Sequence, residues 1–169
     1  MPAMSVRVQT EDFDLSREVA TLRAGKPAIG AVVSFVGLVR DMNDGVDVHA
    51  MELEHYPGMT EKALQEIAQL AAQRWNLQDT LIIHRVGALQ PLDQIVLVAV
   101  ASAHRGEAFA ACEFIMDYLK TQAPFWKKEQ TPQGERWVDA REHDDRALQK
   151  WGLASTNSVA RAKDGWGDL

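Results

Sequence analysis

Apolar and polar positions divide the chain into short strands and amphipathic helices. Ser5 to Gln9 alternates as a strand, and Asp14 can cap a helix whose Leu15, Val19 and Leu22 recur at i, i+4 and i+7 before Gly25 stops it. From Ala28 to Val39 the run AIGAVVSFVGLV is almost continuously apolar and rich in β-branched residues, the pattern of a central strand covered on both sides. Arg40 to Asp47 holds an Asn-Asp-Gly turn cluster, and Val48 to Tyr56 is expected to return as the antiparallel partner of that strand. After Pro57 and Gly58, Thr60 can cap a helix with Leu64, Ile67, Ala68, Ala71 and Trp75 along one stripe. Thr80 to Val86 and Gln94 to Ala101 read as strands, joined through Gly87 to Asp93, where Pro91 forbids regular pairing. A helix then starts near Ser102, carries Ala108, Cys112, Ile115, Met116 and Leu119 on its apolar stripe, and must end at Pro124. Phe125 to Glu129 and Glu135 to Asp139 flank the turn TPQG as a hairpin, followed by a short helix toward Trp151.

This order predicts an α+β domain with a largely antiparallel sheet and helices packed on it. The chain has 169 residues, the size of one domain, assigned here to residues 1–151. Residues 152–169 are polar and without periodicity, and are expected to form a disordered tail. The composition is 46% hydrophobic and 25% charged with a net charge of -6, which argues against a protein that coats nucleic acid or acidic lipid. No apolar run reaches the ~20 residues of a membrane span and no secretion signal opens the chain, so a cytoplasmic address is expected. The single cysteine, Cys112, excludes an intrachain disulfide framework and a CxxC pair, and its place on an apolar stripe makes it core.

Candidate chemistry is cationic. Arg40 ends the long apolar strand, His104 and Arg105 follow the strand IVLVAVAS at the positive end of a helix dipole, and Lys120, Lys127 and Lys128 surround Pro124. A helix N-terminus with added cations favours a phosphate. Pro124, Phe125 and Trp126 form a stiff apolar corner between two amines. Low-dielectric surface there would suit a lysine acting as nucleophile or general acid/base, while the plainer alternative is that the aromatics close the core and the lysines reach outward. Both readings stay open on the residues alone. His49, His55, His84 and His143 lack metal-ligand spacing and stand as core or surface histidines; no metal and no cofactor is expected. No GxGxxG or GxxxxGK[ST] loop supports nucleotide binding.

The segments GLVRDMNDG, LEHYPGMTEKAL, IIHRVG, ASAHRGEAF and FIMDYLKTQAPFWKKE, in this order and spacing, resemble the catalytic large subunit family of molybdopterin synthase from about Ala28 to Trp151. The resemblance implies an α/β-hammerhead type fold and a central homodimer with a small ubiquitin-like sulfur-carrier subunit at each end. It implies conversion of cyclic pyranopterin monophosphate to molybdopterin, with two sulfurs delivered as the carrier's C-terminal thiocarboxylate. By the same resemblance Lys120 and Lys127 are the functional lysines, and Arg40, His104 and Arg105 bind the substrate's anion. Gln122 and Lys128 stand where close relatives are expected to carry arginines. A rival of another class is a non-enzymatic adaptor that clamps the C-terminal tail of a ubiquitin-like protein with the same lysines.

Overall fold

The computed structural model describes residues 3–43, 45–138, 149, 151 and 152. Among the described residues, three helices and ten strands follow in the order β1 (Ala3–Gln9), α1 (Leu15–Arg23), β2 (Ala31–Leu38), β3 (Met42–Asn43), β4 (Val46–Asp47), β5 (Ala50–His55), α2 (Met59–Arg74), β6 (Leu77–Arg85), β7 (Gly87–Leu89), β8 (Gln94–Ser102), α3 (Arg105–Gln122), β9 (Phe125–Thr131) and β10 (Gly134–Val138). The expected short helix before Trp151 and the tail after Gly152 fall outside the described residues.

Local chemistry explains most boundaries. The Asp14 side chain accepts the Arg17 N–H at 3.0 Å and caps α1. At α2 the cap is Gly58, whose N–H is held by the Glu61 carboxylate at 2.6 Å. Thr60 lies inside the first turn instead of capping it, because its hydroxyl donates to the Tyr56 carbonyl at 2.8 Å and accepts the Tyr56 N–H at 3.0 Å. Helix α3 stops at Ala123, directly before Pro124.

The strands form two four-stranded sheets and a small hairpin, where one largely antiparallel sheet was expected. The first has the order β1-β6-β8-β2; β1 pairs parallel with β6, and the other neighbours are antiparallel. Helices α2 and α3 cover one face of it over a core that includes Leu64, Ile67, Val98, Val100, Phe114 and Ile115. The other face is closed by α1 over Phe13, Leu22, Leu81, Ile83 and Leu97. The second sheet, β10-β9-β5-β7, is antiparallel throughout.

Two expectations fail here for a shared reason. The run Ala28 to Val39 yields β2 at an edge, not the centre, and Phe35 and Leu38 stay 40% and 48% exposed. Val48 to Tyr56 yields β5, which pairs with β9 and β7 and not with β2. The turn cluster between them closes only the two-residue strands β3 and β4. Nearness in sequence suggested a hairpin, but β5 gains longer ladders in the other sheet. Likewise Gly87–Leu89, expected to be unpaired, aligns with Met51 to Leu53, and Pro91 lies beyond it.

Candidate active site

The register of the first sheet sorts the candidate residues by end. Strand β8 starts beside Leu38 and His84 and finishes beside Ala31 and Leu77, and α3 then packs back along β8 and β2. The C-terminus of α3 therefore returns to the end where β2 finishes. Arg40, His84 and Lys120 share that end, whereas His104 and Arg105 sit at the other. On α3, His104 and Lys120 are separated by roughly 24 Å at 1.5 Å per residue.

At the first end the corner around Pro124 carries two lysines that both lie near enough to His84 to act on it electrostatically. Lys120 lies in the last turn of α3 and is exposed; Lys127 lies on β9 and is half-buried. Between them Phe125 stacks face to face on His84, with ring centroids 3.7 Å apart and planes 16° from parallel. His84 is only 5% exposed, and its Nδ1–H donates to the Arg85 carbonyl at 2.8 Å, which leaves Nε2 as the lone-pair nitrogen. Burial above all, opposed by the Arg85 hydrogen bond and aided by the positive charges of Lys120 and Lys127 and by His55, holds the His84 imidazole far below its ordinary value, at about 3. His55, in register with Phe125 on the neighbouring strand, has its ring 6.4 Å from the Phe125 ring and its Nδ1 3.3 Å from the Thr60 hydroxyl. That hydroxyl already donates to Tyr56, so the His55 Nδ1 is the donor here.

Strand alternation separates Lys127 from its neighbour. Lys127 pairs in register with buried Leu53, while Lys128 pairs with exposed Glu52 and points to the opposite face. There its ammonium lies 3.6 Å from Glu135 and 5.4 Å from the Trp137 ring. Two residues beyond Lys127, on its face, Glu129 is buried and accepts from Arg136 at 3.1 and 3.2 Å.

The N-terminus of α3 is built differently. His104 and Arg105 are exposed, and His104 is the cap residue without a side-chain cap bond. The Ser102 hydroxyl donates to the Asn76 carbonyl at 2.9 Å and lies 3.2 Å from the Glu107 carboxylate in the first turn. Gly30 is required beside it, because a Cβ would stand 2.2 Å from the Ala103 carbonyl oxygen. Cys112 is buried on α3 with its thiol 3.9 Å from the Val98 carbonyl, and burial pushes its pKa up to about 11. It stays a protonated, inert thiol at neutral pH.

One end of the domain thus gathers lysines, two histidines and an aromatic wall, and the far end of α3 offers an exposed cationic pair. The sequence named these cations as candidates and read His84 as a core or surface histidine; it is a core one, and its stacking on Phe125 was not foreseen.

Residues 8–122 match the family described as MoaE protein. A molybdopterin synthase catalytic subunit from Ralstonia nicotianae is 70% identical over 156 residues, covering 92% of this chain and 89% of the relative. Among solved structures, the molybdopterin biosynthesis MoaE protein from Burkholderia ambifaria is 64% identical, covers 90% of this chain and 99% of that one, and superposes with a TM-score of 0.77. A molybdopterin synthase from Staphylococcus aureus is 34% identical, covers 78% and 95%, and gives 0.72.

Proposed function

The chain belongs to the MoaE protein family, and from that premise we propose that it is the catalytic subunit of a molybdopterin synthase, a sulfurtransferase of molybdenum cofactor biosynthesis. It converts cyclic pyranopterin monophosphate to molybdopterin, taking two sulfurs from the C-terminal thiocarboxylate of a small ubiquitin-like carrier subunit. The observation that carries this reading is the pairing of Lys120 and Lys127 around the His84–Phe125 wall, where an anionic sulfur nucleophile and the pterin side chain can be held together. The two ammonium groups orient the reactants and stabilise negative charge as the sulfur attacks. Arg40, His104 and Arg105 bind the substrate phosphate. Sulfur comes from outside because the chain's one cysteine is buried and protonated.

The active site draws on two copies of the chain. The roughly 24 Å between His104 and Lys120 exceeds what one small ligand spans. A two-fold pairing along the edge of β2, whose Phe35 and Leu38 are exposed, sets the Leu38 end of one copy beside the Ala31 end of the other. It thereby brings Arg40 and the lysines of one copy toward His104 and Arg105 of the second.

The test is direct. Incubating the protein with thiocarboxylated carrier and cyclic pyranopterin monophosphate yields the dithiolene product, with isotope-labelled carrier sulfur in it. Stable binding of the carrier tail without any dithiolene would instead support the adaptor reading.

A further inference from the structure

The pocket contains a group that none of the proposed cation roles uses. His84 lies in the middle of the lysine end, yet it carries no charge at neutral pH and its Nδ1–H is spent on the Arg85 main chain. Its flat face is what it offers to the site. Strand β6 is an inner strand of the first sheet: every residue from Asp79 to His84 is buried, and His84 is in register with Val8 of β1 and Val96 of β8. Phe125 is the first residue of β9, one step after the Pro124 break, where it stands in register with His55 of the second sheet and its N–H bonds to the nearby Ala123 carbonyl at 2.9 Å. The segment carrying Lys120 and Lys127 turns at Pro124, and among the described residues its ring stacked on the first sheet is Phe125, on His84.

We propose that His84 is a positioning residue for the sulfur-transfer reaction: its ring, fixed in β6, clamps Phe125 and so sets the relative placement of Lys120 and Lys127. The orientation of that ring is itself fixed by the hydrogen bond to Arg85, which denies it rotation about its own axis. His55 also approaches Phe125, at 6.4 Å with planes tilted by 31°, but it belongs to β5 in the same sheet as β9 and so cannot tie the corner to the first sheet. Loss of the clamp leaves each lysine present and charged but lets their spacing drift, and a drift of about 1 Å at a reacting centre costs on the order of 100-fold in rate.

This inference rests on the proposed sulfur-transfer reaction, and the experiment separates the two. Wild-type protein must first form product from thiocarboxylated carrier and the pterin monophosphate; failure there sinks the functional reading, whatever His84 does. With an active wild type, His84→Ala and the bulkier His84→Leu are compared with His84→Phe, which keeps a stacking ring but no imidazole nitrogen. The expected result is a loss of kcat of more than 10-fold in His84→Leu, with KM for the pterin changed less than 3-fold, and recovery to within 3-fold of wild type in His84→Phe. His84→Ala should behave as His84→Leu where it folds. Ile83→Val, which opens a small cavity on the opposite face of β6, controls for stability alone and should leave kcat unchanged. The proposal is overturned if folded His84→Leu retains wild-type kcat, if His84→Phe is as impaired as His84→Leu, or if Ile83→Val lowers kcat equally.

Discussion

Mixing two inactive variants provides the sharpest test of a site shared between copies. His104→Ala and Lys120→Ala alter groups roughly 24 Å apart on one helix, so a shared site draws one from each copy. Each variant alone should lose about 100-fold in turnover, the scale of removing one charge-stabilising group. Equal amounts allowed to exchange subunits give hybrids in about half of the dimers. Each hybrid holds one site with both substitutions and one with neither, so about a quarter of all sites regain the full set and turnover returns to about 25% of wild type. The register of the first sheet adds an internal control, since Arg40 lies at the lysine end of its own chain. Arg40→Ala should be rescued by His104→Ala but not by Lys120→Ala, because that hybrid leaves one residue missing from each site. Product formation is measured alongside native mass spectrometry of differently tagged subunits. Complete exchange with turnover no higher than the two variants separately, or rescue between Arg40→Ala and Lys120→Ala, would refute the shared arrangement.

Lys120→Ala and Lys127→Ala should each lower turnover about 100-fold with Tm unchanged, while Lys128→Ala, on the far face with Glu135 and Trp137, stays within a few-fold of wild type; equal losses for Lys127 and Lys128 would contradict the strand alternation. Cys112→Ala should cost on the order of 1 kcal/mol in urea unfolding and keep product formation with thiocarboxylated carrier, and a folded variant that binds both reactants without turnover would return the thiol to the mechanism. Trp151 packs edge-on to Trp75 and Phe114, donates its indole N–H to Asp117 at 2.7 Å and accepts from Arg74 at 2.9 Å. Ending the chain after Gly152 should therefore leave stability and turnover intact, whereas ending it before Trp151 should cost about 2–4 kcal/mol by denaturant titration. His84 is neutral in the fold down to about pH 3 but protonates near 6.5 when unfolded, so its contribution is fully present above pH 6.5 and is lost as pH falls toward 3. Unfolding free energy of His84→Phe should fall less steeply between pH 6 and 4, and parallel curves would show that His84 is not the group responsible.

Much of the architecture is legible in the sequence where local chemistry decides it. Asp14 caps α1, Pro124 ends α3, and Leu64, Ile67, Ala68 and Ala71 of α2 and all five stripe residues named on α3 are buried, though the fully buried Phe114 was not among them. Pairing over long distances is not legible in the same way. Strand β5 joins β9, which follows it by about 75 residues, and only the assembled core decides that this ladder wins over a hairpin with β2. The apolar run of β2 carries a related ambiguity. Such a run reports that the strand is suited to leaving water, not whether its own chain or another copy covers it, and that is why a strand read as central lies at an edge.

The candidate site divides along the same line. Lys120 and Lys127 are seven residues apart around a proline, so their place at one corner of the fold is a local property and the sequence displays it. His84 meets them only through the fold, and spacing rules for metals or catalytic motifs pass over it. A signal was nevertheless present in IIHRVG. An imidazole inside a run of β-branched residues must be desolvated, and a desolvated ring with one donor and one acceptor nitrogen needs a fixed partner. Here the carbonyl of the next residue, Arg85, takes the donor and Phe125 takes the face. A histidine in a buried strand thus marks a place where another element is bound to press on the sheet, and the element that does so is the corner bearing both lysines.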